Sequence, residues 1–261
     1  MDILNAVLLG ILQGLTEFLP VSSSAHLVLG KHLLHFESPD LLFDVMLHVA
    51  TLCVVLIFFR KRVMLLIRAF LGLFFKKFSK DYFEQKHFLW GIIIATIPTG
   101  VIGYFMSKYI LDYMQATLFV GYALILTSIL LILSDNFNGN GKLTLGKSFL
   151  IGIGQGLAVT PGISRSGTTI AVSVMLGIKR EEAAEFSFLI SVPAIIGAVI
   201  LKIHEGGFNP NDITAYAAGM AAAFISGFLV VGVMLRFIRN AKLKYFAFYC
   251  LTVGVATVLF S

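Results

Sequence analysis

The sequence predicts an all-α integral membrane protein with about six transmembrane helices and two re-entrant helix hairpins, arranged as an inverted-topology repeat. Three observations predict it: long apolar segments, two apolar regions broken by Pro, Gly and Ser, and basic residues concentrated on one side. The chain is 58% hydrophobic and only 13% charged, with a mean hydropathy of +0.92, whereas soluble domains carry about 25% charged residues. This composition excludes a disordered chain, a coiled coil and a nucleic-acid-binding domain, despite the net charge of +6. We expect a single membrane domain over residues 1–261.

Six segments are long and apolar enough to cross a bilayer, because a spanning helix needs about 20 mostly apolar residues. They are residues 43–59, 88–106, 116–133, 183–202, 213–236 and 244–260. Between the first two, the basic and aromatic stretch 60–86 predicts amphipathic helices at the membrane surface. Cys53 and Cys250 lie in apolar runs and are interpreted as small hydrophobic residues rather than a disulfide or metal pair.

Two further apolar regions, residues 3–34 and 147–178, are interrupted. Pro20 and the serines at 22–24 break the first, and residues 161–166 break the second. Pro and Gly clusters end helices, and each flank is too short to cross a membrane alone. We therefore expect each region to enter the membrane and return, with its irregular backbone covered by protein or facing a water-filled cavity.

The basic residues support this topology. If the segment after Phe59 is cytoplasmic, nearly all Lys and Arg residues fall on the inner side, and only Lys31, Lys108 and Lys202 lie outside. Such a positive-inside bias is typical of membrane proteins. It arises only if both broken regions are re-entrant, and it places both termini outside.

The two broken regions resemble each other. Residues 10–15, GILQGL, align with residues 152–157, GIGQGL, and a Pro and Ser cluster follows each. Three spans separate the two regions, so the second copy is expected to be inverted relative to the first. We place the repeats at about 1–135 and 143–261. Inverted repeats with broken helices place polar groups between the two halves.

Few ionisable residues lie inside the apolar regions, and a charge at bilayer depth usually faces a partner or a wet cavity. They are Glu17, His26, Asp44, His48, Arg165 and Glu185. Since an inverted repeat brings the two breaks together, we expect a carboxylate, an imidazole, a guanidinium and several hydroxyls around one pocket.

This inventory suits a phosphate ester. Arg165 offers a planar fork that matches phosphate oxygens, and helix starts favour anions. His26 is the side chain best suited to proton transfer or nucleophilic attack, with Glu17 fixing its tautomer or holding a divalent cation. Phosphate contacts are expected from Ser22, Gly162, Ser164, Ser166, Gly167 and Thr168. Cation ligands, or hydrogen-bond partners of the site, are expected from Gln13, Glu17, Asp44 and Glu185.

Simpler roles stay open for individual members of this set. Arg165 could only neutralise Glu17, and His26 could only bond a carbonyl group. Ser22 and Ser24 could satisfy backbone groups freed by the break. Asp44 and Glu185 are better explained as structural partners of the opposite hairpin than as catalysts, and His48 as a local hydrogen-bond partner of Asp44.

The sequence resembles the undecaprenyl-diphosphate phosphatases of the bacitracin-resistance type. The resemblance rests on QGLTEFLPVSSSAH at 13–26, PGISRSGT at 161–168, and EFSFL at 185–189 followed by Val192-Pro193. It implies removal of the terminal phosphate of undecaprenyl diphosphate, recycling of the cell-wall lipid carrier, and bacitracin resistance. It also implies dependence on a divalent cation, Mg²⁺ or Ca²⁺, and a pocket that opens to the outer face of the bacterial cytoplasmic membrane.

Carried over by position, the resemblance assigns catalysis to Glu17, Ser23, His26 and Arg165, with His26, Ser23 or a water molecule as the nucleophile. Gln13 stands where many relatives carry Glu, so Glu17 is the only carboxylate that the first hairpin motif offers to a cation. Ala25 stands where relatives often have Gly, so the backbone there is expected to avoid positive φ.

The main alternative is a transporter, such as a flippase of polyprenyl phosphate, that uses the same broken-helix site. The combination of His26 and Glu17 beside Arg165 favours catalysis. A second family of lipid phosphatases, related to soluble acid phosphatases, has a Ser-Arg motif that needs a histidine shortly downstream. Membership of that family is excluded, because the next histidine after Ser164-Arg165 is His204. The expected partners are a polyprenyl diphosphate lipid and the bilayer, without nucleic acid or an organic cofactor, and the oligomeric state stays open.

Overall fold

The computed structural model describes residues 2–34, 41–109, 114, 116–137, 139–205, 212–240 and 243–261, and this part of the chain is helical throughout apart from turns and one isolated bridge. The side chain of Lys202, one of the three lysines expected outside, is not among those described. The helices are α1 (Ile3–Glu17), α2 (Ser23–Leu33), α3 (Leu41–Phe58), α4 (Arg60–Leu71), α5 (Ser79–Tyr109), α6 (Thr117–Asp135), α7 (Leu145–Leu157), α8 (Arg165–Met175), α9 (Arg180–Glu205), α10 (Ile213–Asn240) and α11 (Lys244–Phe260).

Among the described residues, four helices are long and apolar enough to cross a membrane, which makes this a multi-pass membrane protein. They are Lys76–Tyr109, Thr117–Asp135, Arg180–Leu201 and Ile213–Ile238. Four of the six predicted spans coincide with these helices. The predicted span 43–59 forms most of α3, which meets the basic helix α4 at a bend of 84°. The predicted span 244–260 is α11, a shorter apolar helix of 17 residues.

The main helix contacts join the two halves of the sequence rather than helices that are neighbours in sequence. Helix α1 packs mainly against α10, α7 mainly against α5, and α6 mainly against α11. Each of the two hairpins, α1–α2 and α7–α8, thus lies against a helix from the other half of the sequence. Phe18, in the first break, packs edge-on against Phe188 of α9 with ring centroids 5.9 Å apart, and both side chains are fully buried. The core therefore lies between the hairpins and the spans of the opposite half.

Glycine lets the paired backbones approach closely. A Cβ atom added to Gly10 of α1 would lie 2.2 Å from the carbonyl oxygen of Gly219 in α10, and one added to Gly152 of α7 would lie 2.2 Å from that of Ala95 in α5. Small residues of this kind characterise helix contacts in membranes, where close packing replaces the hydrophobic effect as the driving force.

Substituting Gly152 with alanine is expected to lower the stability of the protein in detergent by about 1–3 kcal/mol, because the added methyl group would overlap a backbone atom of α5. The matched control is Gly146→Ala in the same helix, where an added Cβ meets nothing within 4 Å. Thermal unfolding of the two variants measures the difference. Equal melting temperatures would contradict the close contact between α5 and α7.

Candidate functional site

The first hairpin turns at a strained serine. Helix α1 ends at Glu17, and α2 begins after Ser22, whose φ of 68° lies in a region that residues other than glycine rarely occupy. The Ser22 hydroxyl accepts a hydrogen bond from the Ala25 amide, 3.3 Å away. Ala25 itself is helical, so its φ is negative, as expected for a residue with a Cβ atom. This backbone conformation of Ser22 costs of order 1 kcal/mol or more, and it lies at the residue that sets the direction in which α2 begins.

The second hairpin turns at Gly162, where φ is +98° and an added Cβ would lie 2.4 Å from Cβ of Ala123. Thr127 of α6 holds this turn, since its hydroxyl donates to the Gly162 carbonyl oxygen at 2.9 Å and accepts from the Ser164 amide at 3.1 Å. Ser164 then caps α8 by accepting from the Gly167 amide at 3.0 Å. Arg165 is thereby fixed as the first residue of a buried helix.

The two breaks meet, as the sequence predicts. The Ser166 hydroxyl donates to the Leu19 carbonyl oxygen at 3.1 Å, and Nη2 of Arg165 donates to Oε1 of Glu17 at 2.5 Å. Glu17 and Arg165 are 148 residues apart in sequence, so this ion pair joins the two halves of the chain.

Glu17 is the centre of the cluster. Its side chain is only 5% exposed, and a buried carboxylate requires several partners. Oε2 accepts from the Ser23 hydroxyl at 2.5 Å and from the Gln13 amide at 2.9 Å, and it lies 3.5 Å from Nε2 of His48. The carboxylate is thus held in place by three hydrogen-bond donors, from Gln13, Ser23 and Arg165, with the His48 ring beside it.

The cluster also contains donors that the protein does not satisfy. Nη1 of Arg165 and the hydroxyl oxygen of Thr168 are buried without a hydrogen-bond partner in the described part of the chain. An unsatisfied buried donor costs about 1–3 kcal/mol. The Arg165 side chain also lines a cavity, although Nη1 itself is buried.

The cavity occupies about 840 Å³ between the two halves. Glu17, Ser23, His48 and Arg165 line its polar end. Its other wall, from α5 and α9, is mainly apolar and small, and the lining there includes Gly100, Gly103, Ala194, Ile195, Gly197 and Ala198. A cavity with a polar cluster and a mainly apolar wall suits an amphiphile with an anionic head.

The predicted phosphate contacts divide into two groups. Ser22 lines the cavity, as do Ser23 and Arg165 from the predicted catalytic set. In contrast, Gly162, Ser164 and Ser166 make the backbone bonds of the second break, and Gly167 is the amide that Ser164 caps. These four, together with Thr168, are absent from the described lining of the cavity. They stay predictions as phosphate contacts, and the contacts they make here shape the turn.

His26 has different neighbours from those expected. Its Nδ1 donates to the Ser22 carbonyl oxygen and its Nε2 accepts from the Tyr249 hydroxyl, both at 2.7 Å, while the imidazole stacks on the Tyr249 ring. The expectation that Glu17 orients His26 is wrong, because Glu17 contacts Ser23 and His48 instead. His26 is not among the described cavity-lining residues. Its role as base or nucleophile stays a prediction.

The residues expected around a cation do not converge. Asp44 pairs with Lys31 at 2.7 Å and Glu185 with Nε of Arg62 at 2.9 Å. The expectation that these acids contact the opposite hairpin is also wrong, because Lys31 belongs to the hairpin in the same half as Asp44, and Arg62 lies in α4. The described residues contain no group of three His, Cys, Asp or Glu side chains that could hold a metal, so they do not fit a cation site built from protein ligands.

Several residues of the site were not expected from sequence. His48 was interpreted as a local partner of Asp44, and that bond is present at 2.7 Å to the Asp44 carbonyl oxygen, yet the ring also faces Glu17. Gln155 lines the cavity and donates to Thr99 and to the Ile190 carbonyl oxygen. Gln155 aligns with Gln13 in the repeated GxxQG-like segment, which was the one available signal.

The family model described as "Bacitracin resistance protein BacA" matches residues 6–256. An undecaprenyl-diphosphatase of Methanobrevibacter smithii is 40% identical, over 98% of this chain and 96% of its own length. An undecaprenyl-diphosphatase of Christiangramia forsetii is 41% identical, over 100% of this chain and 99% of its own. A third, from Alkaliphilus metalliredigens, is 39% identical over 100% and 99%.

Proposed function

The chain belongs to the bacitracin resistance protein BacA family, and on that premise we propose that it hydrolyses undecaprenyl diphosphate to undecaprenyl phosphate and inorganic phosphate. The observation that carries the proposal is that Arg165, whose Nη1 lacks a hydrogen-bond partner, lines the same cavity as Glu17 and Ser23. The activity recycles the lipid carrier for cell-wall synthesis, and it accounts for the bacitracin resistance in the family's name.

Arg165 holds the diphosphate. Its Nη2 is anchored to Glu17 and the side chain lines the cavity, so the guanidinium group is positioned to bind the diphosphate and to stabilise the charge that develops on the phosphoryl oxygens. The start of α8 adds a positive helix dipole at the same place. The isoprenoid chain lies along the small, apolar wall from α5 and α9.

Ser23 is the nucleophile that the contacts favour among the three considered. Its hydroxyl donates to Oε2 of Glu17 at 2.5 Å, which is the relation of an attacking hydroxyl to its base. Both ring nitrogens of His26 are engaged elsewhere. Attack by Ser23 on the terminal phosphorus forms a phosphoserine and releases undecaprenyl phosphate, and a water molecule then hydrolyses the phosphoserine.

Transport of a polyprenyl phosphate is not favoured. The relatives above carry the name undecaprenyl-diphosphatase. A carrier needs to bind its anion, but it has no need of a hydroxyl bonded to a carboxylate beside the bound phosphate.

The membrane arrangement belongs to the proposal as well. Six spans (α3, α5, α6, α9, α10 and α11) and the two re-entrant hairpins form an inverted repeat. The pairing of helices supports this, because exchanging the halves turns the contact of α1 with α10 into that of α7 with α5. Helix α11 is long enough at 17 residues, since spans range from about 17 to 25. The cavity then opens on the outer face of the cytoplasmic membrane, where Lys31, His32 and Ser107 line it.

A divalent cation, in this proposal, reaches the site on the substrate. Mg²⁺ commonly binds through phosphate oxygens and keeps several water molecules, so it needs no cage of protein ligands. Its requirement is tested by adding a chelator, independently of any assignment of residues.

Phosphate release by the purified chain in detergent tests the function. We expect inorganic phosphate to appear from undecaprenyl diphosphate and to stop on addition of a chelator, with excess Mg²⁺ or Ca²⁺ restoring it. Undecaprenyl monophosphate is the control substrate and should release none. A protein that melts cooperatively but releases no phosphate with either cation present would overturn the proposal and favour transport.

A further inference from the structure

His48 is the imidazole that faces the reacting groups. It lines the same cavity as Glu17, Ser23 and Arg165, with its side chain 27% exposed. His26 does not line it, and its two nitrogens are bonded to a carbonyl oxygen and to Tyr249. The imidazole beside Glu17 in the cavity is thus that of His48 in α3 and not that of His26 in α2.

The hydrogen bonds of His48 define its tautomer. Nδ1 lies 2.7 Å from the Asp44 carbonyl oxygen. Because a carbonyl oxygen only accepts, Nδ1 carries a proton, and Nε2 is the nitrogen that gains and loses one. Nε2 lies 3.5 Å from Oε2 of Glu17, the same oxygen that accepts from the Ser23 hydroxyl.

The charged groups around His48 form a row along the cavity. Glu17 of α1 faces Nε2, and Arg165 of α8 holds the other oxygen of Glu17. On the outer side, the carboxylate of Asp44 is paired with Lys31 of α2. Each carboxylate therefore has its own cation, and neither pair needs His48 as a counter-ion. A purely structural role would use only Nδ1.

We propose that His48 is a further catalytic residue, which holds the proton of the attacking hydroxyl at Nε2; this rests on the function proposed above. In the first step, a bond forms between Oγ of Ser23 and the terminal phosphorus, and the bond from that phosphorus to the bridging oxygen breaks. The Ser23 proton passes through Oε2 of Glu17 to Nε2 of His48, and it leaves on the departing lipid phosphate. In the second step, a bond forms between the oxygen of a water molecule and phosphorus, and the bond from phosphorus to Oγ of Ser23 breaks. The water proton passes by the reverse route, through His48 and Glu17, to Oγ, and inorganic phosphate leaves.

The variant His48→Asn distinguishes the role of Nδ1 from the role of Nε2. An asparagine amide reaches the position of Nδ1 and can keep the bond to the Asp44 carbonyl oxygen, but it places nothing at Nε2. We expect kcat to fall about 100-fold or more, with little change in KM and in the melting temperature. The matched control is His87→Asn, since His87 is an exposed residue of α5 that does not line the cavity; this variant should keep its activity.

Chemical rescue provides the second measurement. His48→Ala leaves a gap beside an open cavity of about 840 Å³, and added imidazole should restore much of the lost kcat. Retention of most of the kcat in His48→Asn would overturn the proposal. So would a loss in His48→Ala that imidazole does not restore, because that result assigns His48 to structure. Both comparisons are made with wild-type protein that releases phosphate, so failure of the proposed function is recognised separately and beforehand.

Discussion

Replacing Arg165 with alanine is expected to reduce the kcat for phosphate release by about 1,000-fold or more. The variant loses a guanidinium group that lines the cavity and also leaves Glu17, at 5% exposure, without its cation. Arg165→Lys keeps the charge but cannot bond Glu17 and phosphate at the same time through a rigid fork, so it should recover only a small part of the activity. Phosphate release at saturating substrate measures both effects.

The matched control for charge removal is Arg62→Ala. Arg62 also forms an ion pair, with Glu185 at 2.9 Å, but it does not line the cavity. We expect Arg62→Ala to lower the melting temperature while the folded fraction of the protein keeps its activity. If Arg165→Ala kept most of its turnover in protein that melts like the wild type, Arg165 would be only the counter-ion of Glu17.

Glu17→Gln is expected to lower kcat by about 100-fold or more, because a glutamine amide cannot take the Ser23 proton. It also cannot balance the charge of Arg165, which is 19% exposed. The side chains have nearly the same shape, so the cavity should be preserved. Steady-state kinetics on the purified variant measure the loss.

Glu17 and Arg165 should act as one unit. Removing either member breaks the same assembly, and effects of this kind are far from additive. We therefore expect the double variant, Glu17→Gln with Arg165→Ala, to be no more than a few-fold slower than Arg165→Ala alone. Losses that multiply would show that the two side chains contribute independently and would contradict the ion pair as the basis of the site.

The pairing of Glu17 with Arg165 could be predicted because its signals are local. Pro, Gly and Ser clusters end helices wherever they occur, and a charge between apolar segments needs a partner. Those two rules identify both breaks and the opposite charges in them. The repeat then brings the breaks together, over a separation of 148 residues that no local pattern spans.

The neighbours of the two histidines could not be predicted in the same way. Successive residues of a helix differ by about 100° in direction, so the side that His48 presents depends on how α3 rotates against α1. Tyr249, the partner of His26, lies 223 residues further along the chain, in an apolar helix without any motif. The pairings of Asp44 with Lys31 and Glu185 with Arg62 depend likewise on tertiary placement.

Hydropathy also underestimates helices that continue beyond the apolar segment. The predicted span 88–106 lies within α5, which begins at Ser79, because charged residues near a membrane surface remain helical when they pack against another helix. Here that helix is α4, whose Arg62 donates to Gln85 of α5 at 2.6 Å. The sequence of residues 60–86 indicates basic, amphipathic helices, but it does not predict the 84° bend between α3 and α4.

The exchange of partners between the halves has a consequence for how the protein is made. Helix α1 is synthesised first, but its main neighbour is α10, which ends at Asn240. During translation the first hairpin therefore lies in the membrane without α10, the helix on which it packs, until that helix is made. Glu17 likewise lacks its partner until Arg165 of α8 is made. Chain segments generally fold as their partners emerge. Completion of the packing around the first hairpin is accordingly a late event in biogenesis, and a ribosome that stalls before α10 leaves a fragment in which α1 lacks its main neighbour.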